Sequence, residues 1–153
     1  MSSNKPKFCS STIRDVQFGL DVTVVEPCNL YECKIGNASF IGPFVEIQSN
    51  TKIGEKCRVQ SHSFICSHVT IGNNCFIGHG VTFTNDLFKE GFPDSSAMIP
   101  TQIGNNVSIG SNATILPISI CDGVVIGAGS VVTKNIKTKG VYAGNPAKLI
   151  REL

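Results

Sequence analysis

The chain has 153 residues, which suits one domain, and its formal net charge of +2 is too small to indicate a nucleic acid partner. No apolar stretch of the sequence is long enough to span a membrane. Charged residues make up 16% of the chain and aromatic residues 7%, with 15 glycines and no tryptophan, so the composition favours a regular β architecture with small side chains over a helical bundle.

The first residues differ in character from the rest of the chain. Residues 1–12 form a polar lead-in without the apolar segment of a signal peptide, so we expect a cytoplasmic protein. Phe18, Val24 and Leu30 then begin a repeat of apolar residues at six-residue spacing, and a five-residue step separates Leu30 from Ile35.

From residue 35 to residue 83 the repeat is unbroken. A large apolar residue stands at every sixth position: Ile35, Ile41, Ile47, Ile53, Val59, Ile65, Ile71, Ile77 and Phe83. A period of six is neither the helical period nor the two-residue alternation of a simple strand. It predicts hexapeptide repeats that wind as an all-β, parallel β-helix.

Position four of the hexads predicts where the chain turns. Several hexads carry glycine or asparagine there, and both residues tolerate positive φ better than most others. We therefore expect corners at Asn50, Asn74, Gly80, Asn106, Asn112, Gly123, Gly129 and Asn135. Three hexads would form one triangular coil of roughly 18 residues, which stacks Ile35 on Ile53 and Ile53 on Ile71.

Three of the seven cysteines fit the same pattern. Cys28, Cys57 and Cys75 occupy position five, where the hexads need a small inward side chain, and no CxxC pair occurs. We expect free, buried thiols in a reducing cytosol; a zinc site or a disulfide framework is the alternative.

Residues 84–102 interrupt the hexads, which resume in register at Ile103. An insertion between intact coils must leave the prism as a loop, and loops of this length in compact domains are usually functional. The β-helix domain is predicted to cover residues 13–140 and to contain this loop. Residues 141–153 are predicted to form a turn and a short C-terminal helix, in which Pro146 would suit the first turn.

Side chains at the root of the loop are candidates for a site. Asn85 would be held at a rigid edge of the prism, and His79 lies one strand earlier at a position with no turn requirement, although it could also be an ordinary surface histidine. His62 would lie one coil from the Gly80 corner and close to His79. The remaining candidate substrate-binding residues are Phe83, Thr84 and Asp86.

Small residues and a basic end could hold an extended ligand. The hexads around Gly110 and Gly127 leave flat strand surfaces whose backbone groups a ligand could reach, although hexads also favour glycine and alanine for packing alone. The basic residues near the end of the chain would suit phosphate groups, or they could simply form a solvated face. They are Lys134, Lys137, Lys139, Lys148 and Arg151.

The hexads and the ending AGNPAKLI resemble the left-handed β-helix (hexapeptide) acyltransferases. The stretches NLYECKIG, SHSFIC and GHGVTFTND resemble, more specifically, bacterial nucleotide-sugar N-acyltransferases, which acylate a 3-amino-3,6-dideoxyhexose or a related amino sugar on dTDP or UDP. The match covers about residues 16–153. The resemblance implies a left-handed coil, acetyl-CoA as co-substrate without a metal, and a homotrimer with active sites between subunits. It also implies a role in the synthesis of bacterial surface polysaccharides such as the O-antigen of lipopolysaccharide.

The resemblance also implies roles for individual residues. Asn85 matches the asparagine of the family's FTN segment, so the reacting thioester would lie near Asn85 and His79. The other residues implied to contact CoA are Gly110, Ala113, Gly127 and Ala128 along the pantetheine, and Lys134, Lys148 or Arg151 at the 3′-phosphate and adenine. One departure from the family pattern is that Leu116-Pro117 is followed by Ile118, where a glycine is commonly expected.

Two other functions remain open from the sequence. A γ-class carbonic anhydrase uses the same prism and three zinc-binding histidines, and this chain has His62, His68 and His79. His62 and His68 occupy position four of their hexads, the left-handed corner, where histidine is enriched for a conformational reason. A non-catalytic structural β-helix is the third possibility, because a fold does not imply a function.

Overall fold

Short strands separated by tight corners wind around the three sides of a prism. The computed structural model describes residues 13–153, so the predicted polar lead-in at residues 1–12 lies outside the described residues. Before the loop the strands are β1 (Ile13–Arg14), β2 (Gln17–Phe18), β3 (Thr23–Val24), β4 (Asn29–Tyr31), β5 (Lys34–Ile35), β6 (Phe40–Ile41), β7 (Glu46–Ile47), β8 (Lys52–Ile53), β9 (Arg58–Val59), β10 (Phe64–Ile65), β11 (Val69–Ile71), β12 (Phe76–Ile77) and β13 (Thr82–Phe83). After the loop they are β14 (Thr101–Ile103), β15 (Ser108–Ile109), β16 (Thr114–Ile115), β17 (Ser119–Ile120), β18 (Val125–Ile126), β19 (Val131–Val132), β20 (Gly140–Ala143) and β21 (Lys148–Glu152).

From β1 to β19, every third strand belongs to the same sheet. Sheet A contains β1, β4, β7, β10, β13, β16 and β19; sheet B contains β2, β5, β8, β11, β14 and β17; and sheet C contains β3, β6, β9, β12, β15, β18, β20 and β21. The loop between β13 and β14 has one short 3-10 helix, Ser95–Ala97. Because β14 already begins at Thr101, the loop ends two residues earlier than predicted.

The coils stack in parallel register. Ile35 pairs with Ile53, and Ile53 pairs with Ile71. Ile71 then pairs with Ile103, so the loop is inserted without disturbing the ladder. The predicted apolar ladders are confirmed, and the architecture is a parallel β-helix, consistent with the left-handed hexapeptide type.

The interior of the prism is filled by the residues of the repeat. All nine large apolar residues from Ile35 to Phe83 are at most 3% exposed, and Phe83 is fully buried. The small position-five residues lie inside as well: the thiols of Cys57 and Cys75 donate to the carbonyl oxygens of Gly72 and Gly104, each at 3.1 Å. All six cysteines within residues 13–153 are free, and five of them are buried.

Positive φ angles mark the corners. Seven of the eight predicted corners have them, including Asn50 at +58° and Gly80 at +65°. Asn135 does not, so that prediction is wrong. Only three residues lie between Val132 and Ile136, which bridges to Ile120. Asn135 instead accepts a hydrogen bond from the Ser119 N–H at 2.9 Å. The last coil is therefore too short to need a left-handed residue there.

The predicted C-terminal helix is also wrong. Strand β20 continues sheet C as a parallel partner of β18, and β21 folds back against β20 in the antiparallel direction. The open edge of sheet C offers the segment a row of unpaired backbone groups, whereas an isolated helix of seven residues would be marginal. No helix in the described part of the chain is long and apolar enough to cross a membrane.

Candidate functional site

The prism has edges where the chain passes from one sheet to the next. The A–B edge includes the corners at residues 32–33, 48–51 and 66–68 and the loop at residues 84–100. The C–A edge includes the corners at residues 42–45, 60–63, 78–81, 110–113 and 127–130. Asn85 lies on the A–B edge and His79 on the C–A edge. A single chain therefore places the two predicted catalytic residues on different edges of the prism.

Asn85 is held by the loop and by the coil beneath it. Its side-chain N–H₂ donates to the Ser67 carbonyl at 3.4 Å and approaches the Met98 sulfur at 3.5 Å. Its backbone carbonyl accepts from the Ile99 N–H at 2.9 Å. The side-chain oxygen has no hydrogen-bond partner among residues 13–153, so this orientation leaves an acceptor available.

A cavity of about 310 Å³ lies between the loop and sheet A. It is lined by Gln48, Phe64, Cys66, Thr82, Phe83, Thr84, Asn85, Asp86, Phe88, Pro93 and Met98. Four of the predicted residues, Phe83, Thr84, Asn85 and Asp86, are thus brought together, but the Phe83 side chain is fully buried in the core and is not accessible to a substrate. A larger groove of about 820 Å³ lies on sheet B, between Gln102 and Lys137, and Lys137 is its one lining residue among the candidates for ligand binding.

Two lining residues have roles that differ from ligand binding. The Asp86 carboxylate accepts from the backbone N–H groups of Phe88 at 2.6 Å and Asp94 at 2.9 Å, so it ties the loop to itself. Burial raises the pKa of the Cys66 thiol to about 11. The thiol is therefore neutral near pH 7, which makes Cys66 part of the cavity wall and a poor nucleophile.

His79 is exposed and oriented by its neighbour one coil away. Its Nδ1 lies 2.9 Å from the Ser61 hydroxyl. Within residues 13–153 its Nε2 has no hydrogen-bond partner, so this nitrogen is available to a ligand. His62 lies on the same edge next to Ser61, has φ +64°, and stacks on Phe44 with ring centroids 4.8 Å apart.

The small residues implied to contact CoA are only partly available. Gly110 and Gly127 lie on the C–A edge with His79, and Ala128 there is exposed. A Cβ at Gly110 would come within 2.5 Å of the Ala128 nitrogen, so close packing of adjacent coils is one reason for glycine at that position. Ala113 is fully buried in the core, so the prediction that its side chain contacts a ligand is wrong.

The predicted basic residues do not form one cluster. All are exposed, but Lys134 lies on the A–B edge, where the chain leaves β19. Lys148 pairs with Ala143, beside Gly127, at the end of the C–A edge. Arg151 pairs with Val141, three residues further along β21. Only Lys148 is therefore in line with His79, Gly110 and Gly127.

Sequence reasoning missed Ser61, Met98 and Phe44. A signal existed for Ser61, because it precedes His79 by 18 residues, which is the coil length. No comparable signal existed for Met98, whose contact depends on how the loop folds back. Within residues 13–153 there is no group of three or more His, Cys, Asp or Glu side chains that could hold a metal ion.

Comparison with protein families identifies the class. Residues 32–67 and 50–85 match the bacterial transferase hexapeptide (six repeats), and residues 100–134 match the hexapeptide repeat of succinyl-transferase. Together these matches take in more than half of the chain. The protein belongs to the hexapeptide-repeat transferase family.

Individual relatives agree with this assignment. Galactoside O-acetyltransferase of Escherichia coli K12 is 37% identical over 131 residues, which cover 78% of this chain and 63% of that protein. The bifunctional protein GlmU of Streptococcus uberis is 30% identical over 151 residues, or 92% of this chain and 32% of that protein. The chain thus spans about a third of the length of its GlmU relatives.

Solved structures have the same fold at low identity. AntD, an N-acyltransferase from Bacillus cereus whose D94A mutant was crystallised with dTDP and coenzyme A, superposes with a TM-score of 0.70 at 18% identity, covering 89% of this chain and 83% of AntD. PerB from Caulobacter crescentus, crystallised with CoA and GDP-perosamine, has a TM-score of 0.67 at 17% identity, covering 91% of this chain and 57% of PerB.

Proposed function

We propose that the protein transfers an acetyl group from acetyl-CoA to the amine of an amino sugar linked to dTDP or UDP. The observation that carries the proposal is the cavity under the loop, where the side-chain oxygen of Asn85 is free to accept a hydrogen bond. The two solved relatives support it, because each binds coenzyme A together with a nucleotide or a nucleotide sugar.

The active site would be shared between copies of the chain. Because Asn85 and His79 lie on different edges, a site that uses both needs the A–B edge of one copy and the C–A edge of another. Such a contact joins two different surfaces and can close only as a ring. Three prisms arranged in parallel would close it, which agrees with the homotrimer that the family resemblance implies.

Acetyl-CoA would lie along the C–A edge. Gly110 and Ala128 have no large side chain that would keep a ligand away from the backbone of this edge. Lys148 supplies a positive charge for a phosphate group at the end of the edge. The thioester would then reach His79 of its own copy and Asn85 of the neighbouring one. Lys134 and Arg151 would need a partner copy to approach the same ligand.

The Asn85 side-chain oxygen and His79 Nε2 would carry out acetyl transfer at this site. The Asn85 oxygen accepts one amine N–H and so directs the nitrogen lone pair toward the thioester carbonyl. The amine nitrogen forms the new bond to the carbonyl carbon, the carbon–sulfur bond breaks, and the amine proton passes through His79 Nε2 to the departing CoA thiolate. Holding both substrates in one cleft supplies a large part of the rate enhancement, and positioned proton transfer adds typically 10²- to 10⁴-fold.

A second acceptor class is favoured by one observation. The 37% identity to galactoside O-acetyltransferase suggests a sugar hydroxyl as the alternative nucleophile. A hydroxyl is a weaker nucleophile than a neutral amine, so this reaction would depend more strongly on His79 as a base.

The test is a thiol-release assay with acetyl-CoA and a panel of acceptors. The panel contains amino-sugar nucleotides, free amino sugars and neutral galactosides, and mass spectrometry identifies the acetylated product. We expect release of CoA with an amino-sugar nucleotide and an N-acetyl product. Release only with galactosides would replace the proposal by O-acetylation, and no release with any acceptor would refute both. The identity of the best acceptor would also test the proposed role in the synthesis of surface polysaccharides inside the cell.

A further inference from the structure

Phe44 on the C–A edge combines two unfavourable features. Its φ is +61°, a region in which bulky residues are rare, and its side chain is 56% exposed. Equivalent corners of the chain carry asparagine, for example Asn50 and Asn74, which adopt this conformation more easily. Strained residues of this kind persist where the surroundings or a function require them, and no core packing requires an exposed phenyl ring here.

The ring is one half of an aromatic pair. His62 occupies the next corner along the edge, and the two rings lie 4.8 Å apart at an angle of 31°. This spacing matches the distance between adjacent coils, so the two corners hold the rings in line. Phe44 is therefore held in a defined orientation although it is exposed.

A cavity of about 260 Å³ lies beside Phe44 on the outer face of sheet A. It is lined by Pro27, Cys28, Asn29, Phe44, Val45 and Glu46.

Asn29 and Glu46 are direct neighbours on adjacent strands. The Asn29 oxygen accepts from Arg14 at 3.4 Å, and one Glu46 oxygen accepts from Gln48 at 2.9 Å. An amide N–H₂ donor and a second carboxylate oxygen remain side by side next to an aromatic ring.

We propose that this cavity binds the base of the acceptor nucleotide, which stacks on Phe44 and presents a ring N–H to Glu46 and a carbonyl to Asn29. The proposal rests on the proposed function. Uracil, thymine and guanine have a ring N–H next to a carbonyl group, whereas adenine and cytosine have none at the equivalent ring nitrogen. A carboxylate is an acceptor only, so it pairs with this ring N–H. Adenine and cytosine present a lone pair at that nitrogen, and a carboxylate would have to move to their exocyclic amine instead.

The position of the cavity fits a nucleotide sugar that reaches Asn85. Gln48 donates to Glu46 and also lines the cavity that contains Asn85, so the two cavities adjoin across sheet A. Phe44 lies on the C–A edge and Gln48 on the A–B edge, so strand β7 and the width of sheet A separate them. This separation leaves room for a ribose and a diphosphate between the base and the sugar.

The test measures binding of UDP, dTDP, GDP, CDP and ADP to the full chain by calorimetry. We expect UDP, dTDP and GDP to bind at least tenfold more tightly than CDP and ADP. Phe44→Asn should weaken UDP binding by roughly 5- to 150-fold, the usual range for loss of a base–aromatic stack. Its Tm should stay equal or rise, because asparagine suits the positive φ. Glu46→Gln should reduce the difference between UDP and CDP.

Ala38→Asn is the matched control. Ala38 has φ +54° at a corner between sheets B and C, so the substitution makes the same backbone change away from the cavity. It should leave UDP binding unchanged.

Three results would overturn the inference: no nucleotide binds, UDP and CDP bind equally, or Phe44→Asn leaves UDP affinity intact. Dissociation of an oligomer by Phe44→Asn without loss of UDP affinity would assign the ring to a contact between copies and overturn it too. Because binding needs no acetyl transfer, failure of the proposed function is separate. A protein with this base preference that acetylates no amino sugar would refute only the enzymatic proposal.

Discussion

Replacing Ser61 by alanine removes the hydrogen-bond partner of His79 and leaves the coil around it intact. The Ser61 hydroxyl lies 2.9 Å from Nδ1, and both residues lie at the surface of the C–A edge. A hydrogen bond of this kind contributes about 0.5–1.5 kcal/mol. If His79 accepts the amine proton through Nε2, losing this orientation should lower kcat by about 2- to 13-fold, because 1.36 kcal/mol corresponds to a factor of ten.

Steady-state kinetics with acetyl-CoA and an active amino-sugar nucleotide would measure the effect. We expect Ser61→Ala to lower kcat with little change in the KM for acetyl-CoA, and Ser61→Thr, which keeps the hydroxyl, to restore most of it. Ser119→Ala, an exposed serine on sheet B, serves as the control for surface substitution. Unchanged turnover in Ser61→Ala, together with a large loss in His79→Ala, would show that His79 acts without this hydrogen bond and would refute the reasoning.

Three further predictions concern the site and the core. Asn85→Ala should lower kcat by at least tenfold while the Kd for CoA, measured by calorimetry, stays within a factor of two; an equal loss in both would make Asn85 a cofactor-binding residue. Phe83→Ala should destabilise the protein by about 3–5 kcal/mol in urea unfolding, because it empties a fully buried ring position. A loss below 1 kcal/mol would contradict the described packing. Burial raises the pKa values of the Cys33 and Cys66 thiols to about 11 from 9.0, so the folded state keeps protons that the unfolded state releases. The contribution of these two thiols to the free energy of unfolding should therefore be fully present below pH 9 and be lost between pH 9 and 11. Cys33→Ala and Cys66→Ala should each make the loss of stability over this pH range smaller. An equally steep decline in both variants would rule out these thiols as its cause.

The fold was predictable because its determinants are local and repeated. Each hexad needs one large inward residue and one corner that accepts positive φ. Both requirements can be recognised from the residue types at fixed positions of the hexad. The pairing of Ile71 with Ile103 shows that the register predicted from the repeat is kept across the loop that interrupts it. The same reasoning failed at Asn135, where asparagine has a side-chain hydrogen bond as a second possible role.

The candidate site was only partly predictable. Asn85 was identified because an interruption of a regular repeat marks its position. The family resemblance implied that Ala113 contacts CoA, although its hexad position places its side chain in the core. Phe44 was not recognised, because neither its exposure nor its contact with His62 follows from the period alone.

The sequence by itself determined the coil, its corners and the residues that fill it, because these depend on neighbours at constant spacing along one chain. The tertiary structure decided which edge each polar side chain occupies, and so that His79 and Asn85 lie on different edges of the prism. It also decided that the last residues form a strand, since the open edge of sheet C supplies hydrogen-bond partners that no local sequence pattern contains. Edges and sheet borders are properties of the stacked coils as a whole, which is why side-chain spacing alone could not assign them.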